Sequence, residues 1–470
     1  MSLSVAEILE ALPRADDPDE RGLSAEATRA LFEKLSKRPM PTGSLHRLWN
    51  LGDVHARVGI AYLFYWIRSW FKSTDARQQD LVETNLRAAL KLLEMMGYLR
   101  GAVMKMGQTL ANLKDIAPDE FTDVLEKLHF EAPAMHYSLI REQLCSELGG
   151  DPEELFDEFE TEAFAAASLG QVHRARLKTG ERVAIKVQYP GIGRTIRADL
   201  RNLTPLLLPA RLTKDWENVK AQVDEVRRSL ERETDYEDEA RLLEKARDLF
   251  TEDDNILVPR VYREFSTARV LTMQFVGGVH IHDFLSLNPS QEARNQAAEL
   301  MMRAWYRLLY KGRMEYIDWH PGNFLFQDGK LGLIDMGGVW CLNDAAFDTM
   351  LRADHAMQTG DRNDISDFVR HWCEIGDDPS DQERLLKSVE YCEHVWKARI
   401  QPGVMDFGDA EDLRKTIDLL AELTKKRYTR GRSASPLVTR WELAYRTMLY
   451  RLGAKIDVHP IRDEEVKVTC

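Results

Sequence analysis

Apolar residues recur at three- and four-residue spacing through the first third of the chain, as at Leu86, Leu90, Leu93, Leu99, Val103 and Met106, which predicts helices as far as about Asp157. From Thr161 the period shortens. Gly170 to Leu177 and Arg182 to Gln188 read as strands, and the turn residues Lys178-Thr179-Gly180-Glu181 between them predict a hairpin. A charged helical stretch, Ile192 to Leu249, separates these from a second expected strand pair, Val258 to Phe265 and Arg269 to Phe275, joined at Ser266-Thr267 and ended by a hinge-like Gly277-Gly278. Beyond Ser290 the pattern is helical until a third hairpin, Asn323 to Gln327 and Lys330 to Ile334, whose Asp328-Gly329 is a type I′ turn signal. Amphipathic helices are expected from Asp344 onward, so the fold class is α+β: a small lobe of strands with an inserted helix, and a larger helical lobe.

One stretch has two readings. Asp53 to Phe71 suits a buried helix of a helical layer, or an interfacial helix resting Trp66, Trp70, Arg68 and Lys72 on lipid. Its apolar run, Val58 to Ile67, falls short of the roughly 20 residues that span a bilayer. With 470 residues, 44% hydrophobic and 30% charged, the chain has room for about three folding units and the composition of a soluble globular protein. Its net charge of −13 argues against nucleic acid as a partner. Five scattered cysteines without a C-x-x-C pair point to a reducing compartment and away from a zinc site. Acids near the first residue make a secretory leader unexpected, so the predicted location is cytoplasmic, at most peripheral to the inner face of a membrane. The basic cluster Lys425 to Arg432 reads as a solvated loop, or else as a contact for anionic lipid or phosphate.

Three separated pieces carry candidate chemistry. Lys186 ends the apolar run Val183-Ala184-Ile185, where a lysine is either an edge residue reaching for water or, if a helix supplies a carboxylate, a fixed cation for nucleotide phosphates. Such a helix is available in Glu233-Thr234-Asp235-Tyr236-Glu237-Asp238-Glu239, where Asp235 and Glu239 are four apart and expected on one face. Two carboxylates there need a cation to stay ionised; Glu237 and Asp238 suit a solvated face equally well. The third hairpin is preceded by Asp318-Trp319-His320-Pro321-Gly322-Asn323 and followed by Asp335-Met336-Gly337-Gly338, which would return Asp335 beside Asn323. Carboxylate and amide oxygens so placed suit Mg²⁺ on the phosphates of ATP, with Asp318 orienting a hydroxyl or water. Taken singly, Asn323 could cap a turn, Asp335 could begin a loop, and His320 fits a loop brace.

Together, Lys186, Glu239, Asp318, Asn323 and Asp335 resemble the protein-kinase-like fold, with Asp-Met-Gly standing for Asp-Phe-Gly. Where protein kinases carry a glycine-rich turn, this chain has an alanine-rich loop, Ala165-Ala166-Ala167-Ser168, and upstream lies a K-x-G-Q sequence, Lys105-Met106-Gly107-Gln108. These features and the E-T-D-Y-x-x-E-A helix resemble the UbiB (AarF) family of atypical kinases from about Leu99 to the end. The resemblance implies a two-lobed kinase-like fold with a helical extension: residues 1–95 as extension, 96–157 as the K-x-G-Q segment, 158–278 as the small lobe and 279–470 as the large lobe. It further implies that Ala165, Ala166, Ala167 and Ser168 cover the phosphates and that Lys186 pairs with Glu239. Lys105 and Gln108 would lie across the pocket, and Glu233 and Asp235 would engage their helix. Asp318 would be the catalytic-loop aspartate, and Asn323 and Asp335 the metal holders. The implied activity is Mg²⁺-dependent ATP hydrolysis tied to coenzyme Q or other isoprenoid-lipid metabolism, with a small-molecule or lipid substrate, and slow when lipid or partner is absent because Lys105 and Gln108 would restrict the site.

The chain passes from Asp335 through Val339-Trp340 almost directly to a helix near Asp344, with no A-P-E and no peptide platform. Two positions depart from the family pattern: Trp319 stands where many members have proline, and Tyr316 where histidine is common. The alternatives in other classes are a small-molecule phosphotransferase, against which the K-x-G-Q helix argues, and a nucleotide-binding scaffold without activity.

Overall fold

The hairpin Gly170–Gln188 is built on a strand buried at every residue but its first. The structure is a computed structural model and describes residues 136–167, 169–193, 232, 234–426, 428 and 436–466. The expected helices before residue 136, the stretch Asp53 to Phe71, most of Ile192 to Leu249 ahead of Thr234, and most of the basic cluster Lys425 to Arg432 lie outside these residues. Helix α1 (Tyr137–Leu148) ends at Gly149, whose φ of 76° is the left-handed cap that glycine favours. Then come β1 (Glu158–Phe159), β2 (Ala165–Ala167), β3 (Gly170–Arg176) and β4 (Arg182–Gln188). The β3–β4 turn closes through Gly180, at φ 98°, whose N–H donates to Leu177 O at 2.8 Å. Strand β4 is buried at every residue after Arg182, so its sequence is nearly continuously apolar rather than alternating.

Helix α2 (Tyr236–Arg247) has acids in its first turn and Lys245 and Arg247 in its last, which complements the helix dipole. It buries Tyr236, Glu239, Ala240, Leu243 and Ala246, one face at helical spacing. Strands β5 (Ile256–Leu257) and β6 (Val270–Gln274) follow, and β6 pairs antiparallel with β4 to complete the five-stranded sheet.

The second predicted strand pair forms only in half. Val258 to Phe265 is not a strand: it makes one bridge, Val261 to Met273, and ends in a 3₁₀ turn at Arg263–Phe265. Pro259 has no N–H to give, and Ser266 Oγ takes the N–H of Thr272 at 3.0 Å, replacing a ladder bond with a side chain. The alanine-rich segment departs from its expected loop as well. Ala165–Ala167 is strand β2, in register with Val172, Gln171 and Gly170 of β3, because the β3 edge offers backbone groups that need partners. At Gly170 a Cβ would fall 2.1 Å from Val187 O, so this close approach needs glycine.

Helix α3 (Gln291–Tyr310) is capped by Ser290 and runs through the main apolar cluster, burying twelve residues from Ala297 to Tyr310. After it come β7 (Met314–Tyr316), β8 (Phe324–Gln327), β9 (Lys330–Leu333) and β10 (Val339–Cys341). The β8–β9 hairpin turns on Asp328 at φ 44° and Gly329 at φ 74°, the I′ geometry that the dipeptide signals. The pair β7–β10, with Tyr316 opposite Val339, is an element the periodicity does not show, and it interrupts the helical run expected between Ser290 and the hairpin.

Helices α4 (Asp344–Thr359), α5 (Arg362–Trp372), α6 (Pro379–Val395), α7 (Ala410–Lys425), α8 (Pro436–Leu452) and α9 (Val458–Val466) complete the chain, with one short strand pair, Met405–Asp406 and Lys455–Ile456, among them. Two apolar clusters result: one around α3, β7 to β9 and α8, the other among α4 to α7. Among the described residues no helix is long and apolar enough to cross a membrane.

Candidate active site

The ammonium of Lys186 is held between two carboxylates. Its Nζ lies 2.6 Å from Glu239 Oε1 on α2 and 2.8 Å from Asp335 Oδ2 after β9. Lys186 and Glu239 are buried, at 8% and 6% side-chain exposure, whereas Asp335 is 29% exposed and forms the open side of the cluster. One cation against two anions leaves a surplus negative charge. Burial pushes the Glu239 carboxyl up, to about 7, and Asp335 adds to the rise against the pull of Lys186. Burial alone would lower the Lys186 ammonium, but Asp335 and Glu239 outweigh it and hold it well above its ordinary value.

The Asp318–Asn323 turn faces this cluster from the larger lobe. Asn323 Nδ2 donates to Asp318 O at 3.0 Å, and His320 Nδ1 accepts from Gly322 N at 3.1 Å. Asn323 O accepts from Ile334 N at 3.2 Å, which sets the turn directly beside Asp335. Ile317 N donates to Gly338 O at 3.1 Å. A Cβ on Gly338 would lie 2.2 Å from Asp318 Cβ, so the loop after Asp335 lies against Asp318 only because residue 338 is glycine. Beneath both, the buried hydroxyl of Tyr316 donates to Asp335 O at 3.2 Å.

Asp335 Oδ1 accepts from Gly337 N at 2.8 Å. Its donors are one backbone N–H and one lysine, both of which a hard cation can replace or share. With its Nδ2 used, Asn323 has its amide oxygen left for a metal. A carboxylate and an amide oxygen on one half-open rim fit Mg²⁺. Among the described residues no group of three or more histidine, cysteine or acidic side chains could hold a metal by itself, so phosphate oxygens and water would supply the rest of such a shell.

Asp235 is not on the face of Glu239, as its spacing suggested. It is the N-cap of α2, its carboxylate accepting from Glu237 N at 3.1 Å, and it is therefore turned toward the helix end. There it lines a cleft with Glu237, Asp238, Arg241 and Arg263 that does not include Lys186 or Asp335. Ala165, Ala166 and Ala167 stand on β2, opposite the start of β3. Lys105, Gln108, Ser168 and Glu233 lie outside the described residues. Gly338 and Tyr316 were not singled out for the site from sequence; the Gly337-Gly338 pair and the departure at position 316 were the signals available.

A family model described as an ABC1 atypical kinase-like domain matches residues 127–369. "Atypical kinase COQ8B, mitochondrial" of Danio rerio is 28% identical over 351 residues, 73% of this chain and 56% of that protein. "Atypical kinase COQ8, mitochondrial" of Saccharomyces cerevisiae is 29% identical over 65% of this chain and 61% of its own, and "AarF domain-containing protein kinase 1" of Mus musculus is 33% identical over 55% and 49%. The chain thus spans about half the length of the curated relatives it matches. Among solved structures, that of the Rv3197–erythromycin complex from Mycobacterium tuberculosis has a TM-score of 0.56 at 25% identity, covering 84% of this chain and 98% of that one.

Proposed function

Since this chain belongs to the ABC1 atypical kinase-like family, within UbiB/AarF, we propose that it binds Mg²⁺ and ATP between its two lobes and hydrolyses or transfers the terminal phosphoryl group. The observation that carries this reading is the contact of Lys186 with Glu239 and Asp335, three residues from three distant segments converging beside the Asp318–Asn323 turn. In this reading Lys186 leaves Asp335 to neutralise the α/β-phosphates while Glu239 keeps it oriented. Asp318, backed by Gly338, orients the attacking water or hydroxyl, and β2 with the following turn covers the phosphates. Asn323 and Asp335 would hold Mg²⁺, which supplies charge neutralisation at the phosphate oxygens.

The COQ8 names among the relatives support a substrate in coenzyme Q metabolism; a related lipid as substrate and peripheral contact with a membrane are part of the same proposal. In the same reading Lys105 and Gln108, of a segment 96–157 that follows the helical extension 1–95, gate the pocket, and Glu233 and the cap residue Asp235 of a small lobe (158–278) engage their helix, ahead of a large lobe (279–470). The test is phosphate release and ATP binding, with and without liposomes carrying an isoprenoid quinone precursor. Asp318→Asn is expected to bind Mg·ATP like wild type yet release phosphate about 100-fold more slowly. Asp335→Asn is expected to lose the strengthening of ATP binding by Mg²⁺. Wild-type hydrolysis by Asp335→Asn contradicts the metal assignment.

A further inference from the structure

The residue that departs from the family pattern inside the catalytic turn is not at the pocket surface. Trp319 is 4% exposed, with its ring stacked on Phe324 (5.5 Å between centroids, 21° between planes) and set edge-on to Tyr316 at 5.7 Å. Its third aromatic neighbour is Tyr445 of α8, at 5.7 Å, which in turn stacks on Trp305 of α3 at 6.2 Å and 11°. Tyr445 is itself fixed by charge: the Arg399 guanidinium lies 5.7 Å from its ring and 5.2 Å from that of Trp305, and pairs with Glu442 one turn before Tyr445. Arg399, Glu442 and Tyr445 all lie beyond residue 369, where the family match ends.

We propose that Trp319 and Tyr445 are positioning residues, through which helix α8 holds the Asp318–Asn323 turn in its working geometry. The physical ground is that Trp319 directly follows Asp318 and its ring is packed against Phe324, Tyr316 and Tyr445, so that it cannot swing about its own side-chain bonds and a shift of α8 passes to the turn, while the Arg399–Glu442 pair fixes Tyr445. The turn carrying Asp318 and Asn323 is also held by the bond of Asn323 to Asp318 O, the cap of His320 on Gly322 and the bond of Ile334 N to Asn323 O, and the aromatic brace adds the contact that ties it to helix α8. Misplacement of about 1 Å costs as much as 100-fold in rate, so a modest loosening is measurable.

The activity arm rests on the function proposed above; the exchange arm does not. The measurements are phosphate release and hydrogen exchange of the 316–327 segment in full-length Tyr445→Leu, Trp319→Phe and Val389→Ala. The last truncates the separate cluster among α4 to α7 and serves as a control for general destabilisation. Tyr445→Leu is expected to speed exchange in 316–327 about tenfold and lower kcat about tenfold with KM unchanged. Trp319→Phe, which keeps a stacking ring, is expected to retain most of both, and Val389→Ala to leave both as in wild type. Equal loosening of the turn by Tyr445→Leu and Val389→Ala, or by neither, overturns the proposal. If wild type itself releases no phosphate with any added lipid, the proposed activity fails while the exchange comparison still decides the brace.

Discussion

Two buried clusters in this molecule share one composition, a single cation set among two carboxylates, and differ in what surrounds them. Beside strand β4, Lys186 meets Glu239 and Asp335; behind the Asp318–Asn323 turn, Arg399 pairs with Glu442, with Glu315 beside them. The first has an open side, since Asp335 is 29% exposed. The second is sealed, with Arg399 and Glu442 at 4% and 5% and Glu315 at 3%. Lysine is a point charge on a flexible stem that can exchange one oxygen partner for another, whereas a guanidinium between aromatic faces is fixed in its plane. The open cluster can therefore trade a carboxylate for a ligand. The sealed one can only hold helices together, and any charge it loses cannot be replaced from solvent.

Removing the cation from each cluster should break the comparison most sharply. Arg399→Met leaves Glu442 and Glu315 in a dry site and is expected to lower stability by about 3–5 kcal/mol in denaturant unfolding, with no recovery on adding Mg²⁺ or Mn²⁺. Lys186→Met leaves Glu239 buried but Asp335 at water, so the expected loss is smaller, about 1–3 kcal/mol, and a divalent cation binding Asp335 should restore part of it. An equal response of the two variants to divalent cation would show that openness does not separate the clusters.

The same contrast governs what could be read before the fold was known. The β3–β4 and β8–β9 hairpins were legible because their signals are local: a glycine-bearing turn, and Asp328-Gly329 between apolar runs. Lys186, Asp318 and Asp335 stand out because charged residues in or beside apolar strands are conspicuous, Glu239 and Asn323 because they complete a spaced motif with them, and the fold brings Lys186 into contact with Glu239 and Asp335. Glu315 carried no such signal. It sits in the three-residue strand β7, whose partner β10 is equally short, and such strands exist by tertiary pairing rather than by any period of their own. Its neighbours Arg399 and Glu442 come from unconnected helices. Asp235 was misplaced for a different reason: spacing of four implies a shared face only when both residues lie inside the helix, and here the first is its cap.

A pH series sharpens the sealed side of the comparison. Burial pushes the Glu315 carboxyl up to about 8, Glu442 adds to the rise, and the Trp305 hydrogen bond and Arg399 oppose it. Because the folded value lies above the unfolded one, folding favours the protonated form. This contribution is complete below the ordinary carboxylate range near 4.5 and is lost as pH rises through about 8. Glu315→Gln, isosteric and uncharged, should remove that dependence. Relative to wild type, the variant is expected to gain on the order of 4 kcal/mol of stability between pH 5 and pH 9, read as the difference between unfolding midpoints at the two pH values. Glu442, pushed up to about 7 mainly by its own burial, adds a pH slope of its own that both proteins share.

The smallest expected effect tests the charge state of that same carboxyl. Trp305 Nε1 donates to Glu315 Oε1 at 2.9 Å, and a bond to a neutral acid contributes about 1 kcal/mol, against about 1.5–3 kcal/mol for one to a carboxylate. Trp305→Phe also removes packing, but the packing loss is the same at every pH and cancels in a comparison. What remains is a destabilisation that grows by about 1 kcal/mol between pH 6 and pH 9 as Glu315 loses its proton, because only then is the missing donor a donor to charge. A Trp305→Phe loss independent of pH would mean that Glu315 keeps one charge state across the whole range, and that any proton the sealed cluster loses there comes from Glu442 instead.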